Sequence, residues 1–222
     1  MFNYVIFDLD GTLTDPKEGI TGCVQYALTC MGIEPPEKDD LLDFIGPPLV
    51  DSFIRRFGMT AEMAEFAVKK YRERFSTIGM FENKVYEGVP QMLEQLKNAG
   101  CILAVASLKP LIFVRKILEK FSLSKYFSVI AGSDLEGKKH TKKQIIDDVL
   151  SVLPPISSDE IIMIGDRCQD VEGAKQAGIF SLGVTYGYAA PGELENAGAD
   201  IICSSPEEIS KILLCNSYNI DI

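Results

Sequence analysis

Histidine is almost missing from this sequence: His140 is the only one among 222 residues. A single imidazole leaves no room for a multi-histidine metal site and little for a Ser-His-Asp or Cys-His engine. Chemistry must therefore run on carboxylates, lysines and hydroxyls. Cysteine is present but unorganised. Cys23, Cys30, Cys101, Cys168, Cys203 and Cys215 are scattered without a CxxC pair, mostly in apolar contexts, which argues against a zinc framework or a disulfide scaffold and reads as reduced thiols. No apolar run approaches the roughly 20 residues that span a bilayer. The N-terminus enters MFNYVIFDLD directly, without the basic segment and cleavage site of a secretory signal, so a cytoplasmic location is expected. Basic charge is scarce as well: the formal net charge is −10, and no long basic stripe opposes it, which argues against nucleic-acid and anionic-membrane partners. A small anionic substrate stays compatible, because a few local lysines and a bound divalent cation reverse the potential inside one cleft.

What is present is an ordinary globular composition, 46% hydrophobic and 24% charged, enough for one large core or a core with a smaller domain. Short apolar runs recur at 4–8 (YVIFD), 101–106 (CILAVA), 127–131 (FSVIA), 160–165 (EIIMIG) and 179–184 (IFSLGV). They are continuous rather than alternating, as in strands covered on both faces. Helical periodicity lies between them at 88–99, 110–121 and 142–153. The alternation predicts an α/β fold with a doubly wound, mainly parallel sheet. Residues 16–81 break that rhythm, with helical patterns near 17–31, 37–45, 47–57 and 60–77 punctuated by Gly and Pro. They read as an all-helical insertion after the first strand, giving a core of 1–15 and 82–222 and a helical domain of 16–81. The tail after about Leu214 is short and polar.

Asp8 and Asp10 lie two apart where the first strand ends, so in extended geometry both carboxylates face one side and share a cleft. Gly11 permits a sharp turn, and the Thr12 hydroxyl can tie it down. Strand ends of this kind are where open parallel sheets bind ligands. Ser107 follows another apolar strand, with Leu108, Lys109 and Pro110 behind it. In GKKHTKKQII the lysines are Lys138, Lys139, Lys142 and Lys143. Finally, EIIMIGDRCQD puts Asp166 directly after a strand and Asp170 four residues later; a helix beginning near Asp166 would stack both on one face. Each of these signals has a plain structural counterpart: a strand-end turn, a helix cap, a solvated lysine, a pair of N-terminal acids. Their joint order is what selects a function.

FDLDGTLTD resembles the first motif of the haloacid dehalogenase-like phosphohydrolases, DxDGT(L/V)xD after an apolar strand. Ser107, a lysine and GDxxxD follow in the order of that family's other motifs. A lysine that opens a helix three places before an Ile-Ile pair matches the pattern and picks Lys142, with Lys143 as the other register. Related phosphoglycolate phosphatases commonly carry a small polar residue between the hydroxyl residue and the lysine of this motif, where this chain has Leu108 between Ser107 and Lys109. GPPL at 46–49, YRERF at 71–75 and FENKVYEGV at 81–89 resemble the cap and hinge of such enzymes.

The resemblance implies a phosphatase acting on small phosphorylated metabolites with Mg²⁺ as cofactor. Asp8, Asp10 (through its carbonyl), Asp166 and Asp170 would serve the metal. Asp8 would be the nucleophile, Asp10 the acid and base, and Ser107 with Lys142 would hold the phosphoryl oxygens. Asp10 would then have its pKa raised towards neutrality by neighbouring carboxylates. Arg55, Arg56, Arg72 and Lys84 would read as solvated helix charges before substrate contacts. A monomer or homodimer without nucleic-acid or membrane partners is expected. Two alternatives share these motifs in whole or part: a phosphomutase similar to β-phosphoglucomutase, and a phospho-aspartate signalling module, which has neither the first-strand DxDGT nor the helical insertion.

Overall fold

The computed structural model describes residues 2–135 and 141–214. In chain order the elements are β1 (Tyr4–Phe7), β2 (Thr14–Asp15), α1 (Lys17–Cys30), a 3-10 turn (Lys38–Phe44), α2 (Leu49–Phe57), α3 (Ala61–Phe75), β3 (Lys84–Val85) and α4 (Val89–Asn98). There follow β4 (Ile102–Pro110), α5 (Leu111–Lys120), β5 (Val129–Ser133), α6 (Lys142–Val152), β6 (Ile161–Gly165), α7 (Cys168–Ala177), β7 (Phe180–Val184), α8 (Glu193–Ala197), β8 (Ile201–Cys203) and α9 (Pro206–Leu214).

The chain divides into two compact units, residues 1–13 with 85–222, and 14–84. The first holds a parallel sheet ordered β5-β4-β1-β6-β7-β8 among the described residues. Its strands are apolar on both sides because both faces are covered. On one face Tyr4, Ile6, Ala104, Met163 and Ile161 meet Ile145, Ile146 and Val149 of α6 and Ala174 of α7. Val5, Phe7, Val105 and Ile164 alternate to the other face and are fully buried, each such side chain contributing about 1.5–3 kcal/mol. From β1 the chain builds outwards through β4 and β5, returns to β6 on the other side of β1, and builds outwards again through β7 and β8. The order reverses at β1, and the carboxyl ends of strands at such a switch point are where open parallel sheets bind ligands.

The second unit begins and ends on the short paired strands β2 and β3 and is otherwise helical. Thr60 caps α3, its side chain accepting from the Met63 N–H, and Gly58 ends α2 with φ 62°, the left-handed value that glycine adopts without strain. Gly19 of α1 runs so close to the backbone at Gly79 that any side chain would overlap it. Phe44 and Phe53 stack edge to face at 4.9 Å in its interior. Arg74 clamps Glu82 with two bonds of 2.6 and 3.0 Å. Lys84 pairs with Asp15 at 3.2 Å, and Arg56 donates to the Asp40 carbonyl.

Candidate active site

The carboxyl end of β1 delivers the first two acids. Asp8 continues the ladder through its N–H to the Ile164 carbonyl (2.9 Å), after which Thr12 and Leu13 N–H groups both fold back onto the Leu9 carbonyl. Gly11, with φ +83°, turns the corner. Asp8 and Asp10 are both buried, against the usual preference of carboxylates for water unless partnered.

Lys142 supplies one partner. Thr141 caps α6 by accepting from the Gln144 N–H while the Gln144 side chain accepts from the Thr141 N–H, a reciprocal box that fixes where the helix starts. That puts Lys142 on its first turn, buried, with α7 packed against its stem at Gly173, where a Cβ would come within 2.6 Å of Lys142 Cγ. The ammonium reaches Asp8 Oδ1 at 2.8 Å, Asp170 Oδ1 at 2.6 Å and the Ala106 carbonyl at 2.9 Å. Two of these acceptors are hydrogen-bonded and the third contact is an ion pair, so the ammonium is held from three sides. Ala106 precedes Ser107, also buried, and the same lysine thus ties β1, β4 and α7 together. Lys143 points elsewhere, to Asp147 at 2.6 Å. Lys138, Lys139 and His140 lie outside the described residues.

Asp166 is fully buried. Its Oδ1 accepts from the Thr12 hydroxyl (3.3 Å) and its Oδ2 from the Tyr188 N–H (2.7 Å). A Cβ at Gly11 or Gly187 would overlap this carboxylate, so two glycines make the space it occupies. Tyr186 secures the same turn by donating its hydroxyl to the Thr12 carbonyl at 2.9 Å. The helix expected near Asp166 starts two residues later, at Cys168. Asp166 is therefore a loop residue, and the two acids converge through the turn rather than by helical stacking. Asp170 Oδ2 accepts the Arg167 N–H at 3.1 Å and crowds Gly165, where a Cβ would overlap it.

Carboxylate oxygens of Asp8, Asp166 and Asp170 lie within 4.8 Å of one another. Burial raises the Asp166 carboxyl well above the carboxylate range, and Asp170 and Asp8 push the same way. Asp170 is pushed up to about 6 by burial, against the pull of Lys142. Burial alone would lower Lys142, but Asp170 and Asp8 outweigh it and keep the ammonium charged. Asp10 is also raised; burial is the main cause and Lys109 opposes it, while Asp8 adds less. The expectation that neighbouring carboxylates would be the main cause is corrected on this point. With all three acids ionised, the cluster faces one ammonium and keeps two formal negative charges. A compact set of buried, hard oxygen donors with that deficit fits a divalent cation such as Mg²⁺.

The model of the haloacid dehalogenase-like hydrolases matches residues 5–184, a span that contains all six of these side chains. The chain belongs to that family. A 5'-nucleotidase of Pseudomonas aeruginosa is 40% identical over 94% of this chain and 94% of its own length. A phosphoglycolate phosphatase of Agrobacterium fabrum is 31% identical over 82% of this chain and 80% of its own. The crystal structure of a predicted phosphatase from Clostridium acetobutylicum superposes with a TM-score of 0.92 at 47% identity, covering 96% of this chain and 99% of that one.

In this haloacid dehalogenase-like hydrolase the β1, β4, α6 and β6–α7 segments bring Asp8, Asp10, Lys142, Asp166 and Asp170 together, with Ser107 at the end of the strand beside them. Lys109, named from sequence only as the lysine behind Ser107, pairs its ammonium with Asp10 Oδ2; the Tyr188 N–H and Glu193 were not singled out from sequence. Glu193 takes the Arg167 Nε–H and Cys168 N–H on Oε1 at 2.9 Å each and the Ala190 N–H on Oε2. It thereby pins the loop that carries Gly187 and Tyr188 to the start of α7. Gly187→Ala tests the space around Asp166: divalent-cation affinity by calorimetry should fall at least about tenfold with the far-ultraviolet circular dichroism unchanged. Unchanged affinity would mean that the glycine is not needed to seat the carboxylate. No described helix is long and apolar enough to cross a membrane.

Proposed function

We propose that the protein is a Mg²⁺-dependent phosphatase that hydrolyses small phosphate monoesters, phosphoglycolate-like or nucleoside monophosphates, through an aspartyl-phosphate on Asp8. The observation that carries the reading is Asp8 itself: a buried carboxylate at a strand end, one oxygen held by Lys142, beside two further acids and within the field of a separate carboxylate, Asp10. Asp8, Asp166, Asp170 and the Asp10 carbonyl would hold the metal, which when bound offsets the repulsion between the phosphate and these acids and withdraws charge from the phosphoryl oxygens.

Asp8 needs no activating base, because an ionised carboxylate is a usable nucleophile. Its oxygen attacks phosphorus as the bond to the ester oxygen breaks, and Asp10 gives that oxygen a proton so that an alcohol leaves. Asp10 then takes a proton from water as the water oxygen attacks phosphorus and frees Asp8 and inorganic phosphate. Lys142 and Ser107 hold the non-bridging oxygens, Lys142 as a point charge aimed before the reaction begins. The similarity to a 5'-nucleotidase and to a phosphoglycolate phosphatase supports both ester classes.

With Mg²⁺ and a panel of phosphoglycolate, nucleoside monophosphates and sugar phosphates, phosphate release should be seen for at least one ester, vanish with EDTA and return with excess Mg²⁺. No release from any ester in the presence of Mg²⁺ would contradict the reading.

A further inference from the structure

Lys109 reaches Asp10 because β4 is deliberately irregular at its end. β4 pairs with β5 in step from Ala104↔Val129 to Ser107↔Gly132, but the next partner, Ser133, pairs with Pro110. Leu108 and Lys109 therefore stand out of the ladder, and a bulge of this kind re-aims the side chains it carries. Two features hold it. Ser107 Oγ accepts the Lys109 N–H at 3.3 Å. Gly132 leaves room for the displaced backbone: a Cβ there would lie 2.7 Å from the Lys109 carbonyl oxygen and 2.9 Å from Leu111 Cα. The sequence SLKP and the glycine opposite it thus cooperate to fold Lys109 back over the end of β1.

The outcome is an ion pair between Lys109 Nζ and Asp10 Oδ2 with side chains only 7% and 8% exposed. The two oxygens of Asp10 are treated differently. Oδ2 is anchored, whereas Oδ1 is buried and has no hydrogen-bond partner among the described residues. A buried acceptor left without a partner is costly, and such exceptions in native structures call for an explanation. A group that meets Oδ1 only while substrate is present supplies one.

We infer that Lys109 is a positioning residue for the acid–base step: it anchors Asp10 Oδ2 so that Oδ1 is the oxygen that exchanges the proton. The inference rests on the phosphatase reading and adds a residue to it. The proton on Oδ1 passes to the ester oxygen as the P–O bond breaks and the bond from Asp8 to phosphorus forms. Oδ1 later takes a proton from water as the O–P bond to Asp8 is cleaved. Lys109 itself neither gains nor loses a proton.

The test separates substrates by how much their leaving group needs protonation. The ratio kcat/KM reports events up to formation of the phosphoenzyme, which all substrates share afterwards. Lys109→Met should lower kcat/KM for the best alkyl phosphate of wild type by about 100-fold, in the range of general acid catalysis, while p-nitrophenyl phosphate, whose leaving group departs unprotonated, changes by less than about threefold. Lys109→Gln, which keeps a neutral donor for Oδ2, should fall between. In an Asp10→Asn background, Lys109→Met should add nothing further, because residues acting as one unit are not additive. Equal losses for both esters, or additive losses in the double variant, would overturn the inference alone. Wild type that hydrolyses neither ester would overturn the phosphatase reading and this inference with it.

Discussion

Asp8→Asn should remove activity and leave the fold in place. The asparagine keeps the shape of the side chain and an oxygen that can accept from Lys142, which now holds Asp8 Oδ1 at 2.8 Å. It also relieves one of three mutually repelling carboxylates. What it cannot do is attack phosphorus, since the amide has no anionic oxygen. Phosphate release should fall by at least about 10⁴-fold, the scale on which the loss of a nucleophile is measured in other enzymes. Thermal unfolding should show the same cooperative transition as wild type. Residual activity near the wild-type level would remove Asp8 from the reaction.

Lys142→Met should instead weaken the fold as well as the reaction. The ammonium is buried, donates to Asp8 and the Ala106 carbonyl, and pairs with Asp170. Without it two buried carboxylates face each other with Asp166 close by. Breaking a buried charge pair from one side costs about 3–5 kcal/mol, because the abandoned charges remain desolvated. Methionine fills most of the volume, so the loss reports charge rather than a cavity. The urea midpoint should drop by the corresponding amount with the slope unchanged. Mg²⁺ should recover part of the loss by mass action, since it binds the folded acids alone. Activity should fall about 10²–10³-fold with saturating metal, as for removal of one preorganised electrostatic contact. An unchanged midpoint without metal would mean that the pairing contributes nothing to stability.

The legible part of this molecule was the part encoded in local pattern. The runs at 4–8, 101–106, 160–165 and 179–184 lie on β1, β4, β6 and β7, because strands covered on both faces need uninterrupted apolar sequence. FSVIA at 127–131 was read two residues early, against Val129–Ser133: Phe127 is apolar but ends a 3-10 turn and packs edge to face on Phe7. The edge strand Ile201–Cys203 went unread, being three residues long and, among the described residues, paired with β7 alone. The pattern at 37–45 is a 3-10 turn rather than an α-helix. Residues 215–222, the expected tail, lie outside the described residues.

At the site, acids and lysine were legible because motif spacing fixes them to strand and helix ends. Lys109 was not. Its role depends on a slip of register against Gly132, some twenty residues away in sequence, and register cannot be read from one strand alone. Glu193 and the Tyr188 N–H were hidden for a similar reason: one acts through backbone groups of a distant turn, and the other is itself a backbone donor that carries no sequence signal.

The central claim is that Asp8 carries the phosphoryl group. The direct measurement is acid quenching of the enzyme during turnover with Mg²⁺ and a good phosphate ester, followed by peptide mapping by mass spectrometry. The account predicts one added phosphoryl group on the peptide containing Asp8, at Asp8, absent from Asp8→Asn and from the EDTA-treated protein. A phosphoryl group on any other residue would contradict it.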